Sequence, residues 1–219
     1  MHLKNSEKRK QPLIKDKMKR LLIITALLAG CLAAGAQEKL YEVKSGIVTM
    51  EMDMMGQVMV QEIYFDDYGA KQATVMNMQG QKMRQINKDG STLMINDADK
   101  TAMKMPAMGM MGGEQRINFS NLDEKTIKKN RIQEAGEETV AGKTCKVYKY
   151  KVMMMGQPIS ATACVYKGIV LKSTTSTDFG DMTQKATKIE ENIAIEASMF
   201  TVPEGVKIQE MDMSMMGGF

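Results

Sequence analysis

The residues able to do chemistry are few in kind and unevenly spread. The 219-residue chain has 25 methionines, three cysteines and a single histidine. The methionines cluster at 50–59, 103–111, 153–155 and 211–216, and the string Met-Met-Gly recurs at 54–56, 110–112, 154–156 and 215–217. A thioether is pliable and polarizable, so it fills irregular gaps and adapts to variable partners. It is also a soft ligand that favours soft metals. Three uses follow. Met50, Met52 and Met54 alternate along one stretch and share one side of a strand, where they either pack as core or line a surface for a hydrophobic ligand. Met54, Met55, Met108, Met110, Met111, Met154 and Met155 form the alternative, a thioether site for Cu(I) or Ag(I) at the Met-Met-Gly turns.

Cys145 and Cys164 flank Met154-Met155-Gly156. In a hairpin, opposed residues have numbers of constant sum. A turn centred between Met154 and Met155 would therefore set the two cysteines face to face. An oxidising compartment would join them as a disulfide. The alternatives are two buried thiols or a redox or metal pair, although the chain offers no Cys-x-x-Cys here.

The N-terminus supplies that compartment. Lys19-Arg20 precede the apolar run Leu21–Leu28, and Ala34-Gly35-Ala36 follows. A basic start, a short apolar stretch and small residues at a cleavage point describe a secretory leader over 18–36, with the mature chain starting at Gln37. Residues 1–17 read as a mis-called start or a long basic extension. Leu28-Ala29-Gly30-Cys31 also fits a lipobox, making Cys31 a candidate for lipidation and, only in that case, a membrane attachment. Residues 1–36 hold eight of the 30 basic and two of the 26 acidic residues, so the formal charge of +4 becomes −2 beyond them. The basic excess belongs to targeting and gives no argument for a nucleic-acid partner. His2 lies in the leading segment, so the exported part has no imidazole for a triad or a metal. No enzyme activity and no cofactor are expected.

The elements that must position the sulfurs are strands. Ile47, Thr49, Glu51 and Asp53 alternate with Val48, Met50, Met52 and Met54, a period of two. Similar runs are predicted over 58–65, 73–78, 82–86, 92–95, 101–105, 133–140, 145–153, 159–166, 169–177 and 183–195, with 206–209 closing the sheet. Asp89-Gly90 is a hairpin signal. One helix is predicted, capped by Asn121 with Glu124 three residues on. A short helical turn near Ser198 stops at Pro203. The organisation is then a single β-rich domain over 37–210 and a Met/Gly-rich tail over 211–219. The fold class is mainly β (α+β): a strongly curved antiparallel sheet, or half-barrel, of about eleven strands covering a short helix.

The order of motifs carries a resemblance. Residues 121–135 (NLDEKTIKKNRIQEA) lead into 136–148 (GEETVAGKTCKVY), then 165–172 (VYKGIVLK) and 200–205 (FTVPEG). Over roughly residues 40–209 the chain resembles a family of envelope proteins, of the domain-of-unknown-function type, with a LolA/LolB-like outer-membrane lipoprotein carrier fold. Tyr166 stands where that pattern commonly has Trp. The resemblance implies a half-barrel closed by helix around an apolar cavity, which in the carriers holds acyl chains. No catalytic residue transfers. The expectation is a non-enzymatic protein of the periplasm or outer membrane of a Gram-negative envelope. Its partner would be a hydrophobic ligand or a lipoprotein, or it would serve as a structural envelope component without ligand.

Overall fold

The computed structural model describes residues 39–54, 57–78, 80–88, 91–106, 117–154, 157–177 and 180–210. The leader, Cys31 and the tail from 211 lie outside the described residues. Each stretch of predicted alternation contains a strand, with some ends shifted. The first six strands are β1 (Gly46–Met54), β2 (Gln57–Asp66), β3 (Lys71–Met78), β4 (Gln81–Lys88), β5 (Ser91–Asn96) and β6 (Thr101–Pro106). Next come α1 (Glu124–Asn130), β7 (Gln133–Val140), β8 (Lys143–Met154), β9 (Gln157–Tyr166), β10 (Ile169–Thr177), β11 (Gly180–Glu191) and β12 (Lys207–Glu210). All twelve strands belong to one open, curved sheet in the order β12-β6-β5-β4-β3-β2-β1-β11-β10-β9-β8-β7.

That order resolves into two meanders, β1 to β6 and β7 to β11, in which each strand pairs antiparallel with its sequence neighbour. They meet along one seam, β1 against β11, where the register shifts between Thr49 and Met50. The last strand adds in parallel to the outer edge of β6. Most connections are short. Val140↔Lys143 and Tyr166↔Ile169 leave two-residue loops, Ala141-Gly142 and Lys167-Gly168. Both residues of each loop have positive φ (49° and 73°; 50° and 80°). This is the primed turn whose twist matches that of the strands. At Gly168 the requirement is double, because a Cβ would also run into Ser120 and the Leu40 carbonyl.

Three details of the prediction are corrected. The helix cap is Asp123, not Asn121: the Asp123 carboxylate accepts from the Thr126 N–H at 2.6 Å, leaving Glu124 in the first turn. The eleventh strand ends at Glu191 rather than Ile195, because Asn192 turns to φ 56° and donates its N–H to the Ser45 carbonyl at 2.7 Å. In the β8–β9 hairpin Met154 opposes Gln157, so the centre lies between Met155 and Gly156.

Two apolar clusters hold the sheet. In one, Val48, Met50 and Phe65 pack with Val43, Leu171 and Ala186 under the N-terminal segment 39–45. Tyr41 meets Phe65 edge to face at 5.0 Å between ring centroids. In the other, Ile86, Leu93, Ile95 and Ala102 are covered by Met199, Phe200, Val202 and Val206. We call this covering segment, 197–206, the strap. The helix buries no residue, and Ile127 remains 38% exposed. The second core is therefore closed by the strap rather than by α1.

Candidate functional site

Cross-strand partners share a side of a sheet, so the registers through β1–β6 assign each residue to one of two faces. One face carries Ala73, Val75, Ile86, Leu93, Ile95 and Ala102, and the strap lies on it. Beyond the strap it is charged, with Glu51, Asp53, Glu62, Lys71, Lys82 and Lys104 among its residues. The other face is different. Among the described positions of β1–β6 it has no Asp, Glu, Lys or Arg. Its polar residues are amides and hydroxyls such as Gln61, Gln85, Thr74 and Thr92. Its apolar residues, away from the base where the N-terminal segment crosses, are methionines.

Met50, Met52 and Met59 come from the first hairpin and Met76 and Met83 from the second, with Met94, Met103 and Met105 on β5 and β6. The face continues over the seam with Gln184 opposite Met52, and with Ser173 and Thr175 opposite Gln184 and Met182. On β9 and β8 it presents Ala161, Ala163, Tyr148 and Tyr150. Phe119 lies against both tyrosines, with centroids at 5.3 and 5.8 Å. Charge reappears on this side at the β7 margin, where Lys146 and Glu134 form an ion pair at 3.4 Å, and at the base with Glu191.

The sequence-predicted residues separate on this surface. Met50 is 2% exposed and belongs to the core with Val48 and Phe65, so it does not line an open face. Met52 is half-buried and opposes Met59, which is 41% exposed. Met54 ends β1 opposite Gln57, and Met154 ends β8 opposite Gln157. Met55, Met108, Met110, Met111 and Met155 lie outside the described residues. Met76, Met83, Met94, Met103 and Met105 were not singled out as a set, because they are scattered one or two to a strand. Only the inter-strand registers gather them.

Cys145 and Cys164 are joined by a disulfide with Cα atoms 5.4 Å apart. Directly opposite Cys164 is Val147, not Cys145. The β8–β9 register ends at Lys146↔Val165, and Cys145, one residue beyond, closes on Cys164 diagonally. Both sulfurs are buried, among Val140, Ile169 and Leu171. The Lys172 ammonium reaches the Glu138 carboxylate at 2.7 Å on the two strands flanking the pair.

Two clusters of titratable groups are structural. Arg84 is 5% exposed; its guanidinium donates to both Asp97 oxygens (3.0 and 2.8 Å) and to the carbonyls of Ser198, Met199 and Thr201. It thus ties β4 to the strap. The hydrogen bond from Arg84 holds the Asp97 carboxyl below its ordinary range against an opposing effect of burial. At the base, burial pushes Glu191 upward, yet hydrogen bonds from Lys143 (2.6 Å) and Lys167 (3.3 Å) leave it below the ordinary value. Tyr166 also donates to it, at 3.3 Å. Tyr64, half-buried and bonded to Glu62 at 2.7 Å, is pushed up to about 12, chiefly by burial. A depression of about 400 Å³ beside β8 and β9 is bordered by Arg131, Lys149, Lys151 and Tyr150. Its rim is basic, while Tyr150 and Ala161 belong to the continuation of the methionine face. Among the described residues no three His, Cys, Asp or Glu gather as a metal site. No described helix is long and apolar enough to cross a membrane.

No protein-family model matches the chain, and no curated protein matches it. Solved structures do. A conserved protein from Thermus thermophilus aligns at a TM-score of 0.51 and 8% identity, over 78% of this chain and 92% of that one. MucB in the MucA/MucB complex of Pseudomonas aeruginosa aligns at 0.46 and 14% identity, over 73% of this chain and 56% of that one. A domain described as an outer membrane lipoprotein-sorting protein, from Vibrio parahaemolyticus, aligns at 0.35 and 14% identity, over 72% and 89%. At 8% identity the likeness to the Thermus thermophilus protein concerns the fold alone.

Proposed function

We propose that this is an exported cell-envelope protein that binds a hydrophobic ligand on the methionine face of its sheet and catalyses no reaction. The ligand would be an acyl chain, a lipid or a lipidated partner. One observation carries the reading: across six adjacent strands one face is free of charge among the described positions, and methionine is its main apolar residue. Burial does not explain Met59 and Met103, which remain 41% and 42% exposed, although Val58 and Val60 on the strap face are more exposed still. Apolar side chains left partly open to water along one uncharged face are the kind of surface that meets a ligand. Unbranched thioethers suit a ligand of variable shape. Export is supported by the leader pattern at 18–36 and by the buried Cys145–Cys164 disulfide, which suits an oxidising compartment. Lipidation at Cys31 would place the protein on the membrane from which its ligand comes.

Native mass spectrometry of protein purified from membranes tests this directly. The expected result is a bound lipid-sized mass that Met94→Lys, a charge set in the middle of the face, displaces. A protein ligand-free in every preparation, with no affinity for a fluorescent fatty-acid probe, overturns the reading.

A further inference from the structure

The registers connect the scattered methionines into one track. Met52 opposes Met59, Met76 opposes Met83, and Met94 opposes Met103. Directly opposed side chains have Cβ atoms about 4.5–5.5 Å apart. The pairs are also linked to one another. Gln61 opposes Met76, so Met59, two residues away on the same side, is a diagonal neighbour of Met76. Asn96 opposes Met83, so Met94 is likewise a diagonal neighbour of Met83. Diagonal neighbours lie about 7–8 Å apart, still within reach of long side chains. The track thus runs pair, diagonal, pair, diagonal, pair across six adjacent strands.

Hydrophobicity alone does not call for this composition. Strands favour β-branched residues, and the opposite face of these same strands uses Val75, Ile86 and Ile95. What methionine adds is a neutral soft donor. Thioethers select Cu(I), and by the same softness Ag(I), over hard and borderline ions. A hard ion would find no carboxylate on this face among the described positions of β1–β6, and no lysine or arginine there repels a cation. The central methionines Met76, Met83 and Met94 are half-buried, open to an ion from solvent yet flanked by packed strands.

We propose that Met59, Met76, Met83 and Met94 form a binding site for a soft monovalent metal ion, Cu(I) or Ag(I). The opposed Met76–Met83 pair supplies two thioethers, and a diagonal neighbour, Met59 or Met94, supplies a third. The site is on strands and is separate from the Met-Met-Gly segments. It does not depend on the hydrophobic-ligand reading, because leucine at these positions keeps an apolar surface and removes the donors.

The test is titration of the exported chain with Ag(I) as nitrate in chloride-free buffer, following the methionine methyl signals by NMR, then Cu(I) held reduced with ascorbate. The methyl signals of Met59, Met76, Met83 and Met94 are expected to shift together. Met76→Leu/Met83→Leu, a nearly volume-conserving change, is expected to weaken binding by about tenfold or more while fatty-acid-probe binding persists. Met108→Leu/Met110→Leu/Met111→Leu should leave the strand-site affinity as it is. Strand methyl signals that do not move overturn the proposal, and so does an affinity lost in the 108–111 variant but kept in the 76/83 variant. Should the 76/83 variant fail to fold, the wild-type methyl shifts decide.

Discussion

The two faces of strands β1–β6 share a backbone, a set of registers and a twist, yet their side chains follow different rules. The strap face carries branched apolar residues under the strap, and outside it charges together with the exposed Val58 and Val60. Among the described positions of β1–β6 the methionine face carries no charge and, beyond the base where Val48, Ile63 and Phe65 sit, no branched apolar residue. Strand propensity cannot separate them, because alternate residues of one strand experience the same backbone. The difference lies in the task of each side. Close packing rewards shape-defined side chains that lose little entropy, as Ile95 does at 0% exposure. An open surface that must meet something else rewards pliability or a donor atom. Across β3–β6 stability should therefore reside on the strap face, and binding on the part of the methionine face beyond the Val48–Met50–Phe65 core.

The sharpest way to break that comparison is to truncate one residue on each side. Ile95→Ala on the strap face is expected to cost about 2–5 kcal/mol in urea unfolding, by lost burial and a residual cavity. Arg84→Met should follow at about 3 kcal/mol, because it strips the strap's three carbonyls and Asp97 of their donor. Removing the disulfide with Cys145→Ser/Cys164→Ser extends the comparison to the second meander. With a separation of 19 residues the loss is about 3 kcal/mol, read as the difference between oxidised wild type and variant. Met103→Ala, on the open face, should change stability by no more than about 0.5 kcal/mol while weakening ligand binding. If Met103→Ala costs as much as Ile95→Ala, the open face is a core and the division of labour fails.

The smallest effect sharpens the strap. Asp97 titrates below its ordinary range in the folded chain, so its contribution is present at neutral pH and is lost as pH falls through the folded value. The melting temperature of wild type should decline on acidification below about pH 4, and that part of the decline should be absent in Asp97→Asn.

Much of this was legible before the structure. Alternation placed the strands, and Glu51 and Asp53 fell on the side opposite Met50 and Met52 as expected. Arg84 shares parity with Ile86 inside a short strand, a signal that a charge would be buried, but nothing local names carbonyls more than a hundred residues away as its partners. Asp123 displaced Asn121 as the cap because two acceptors compete within three residues, and only backbone geometry decides between them. The hairpin centre moved by one residue from its predicted place, which shifted the cysteine register by two and left the bridge diagonal. The methionine track was illegible for a plainer reason. It is a property of six registers taken together, and no window of sequence contains it.

The seam between the meanders has a kinetic meaning. Apart from β1–β11 and β6–β12, every pairing joins neighbours in sequence, so each meander forms from short-range contacts at little loop-closure cost. Pairing Gly46 with Glu191 closes a loop of nearly the whole domain. Such an entropic barrier falls late in folding. The seam is thus the expected rate-limiting contact, assembled from two preformed half-sheets. Ala186→Gly, which thins the seam beside Met50, should then slow refolding rather than hasten unfolding.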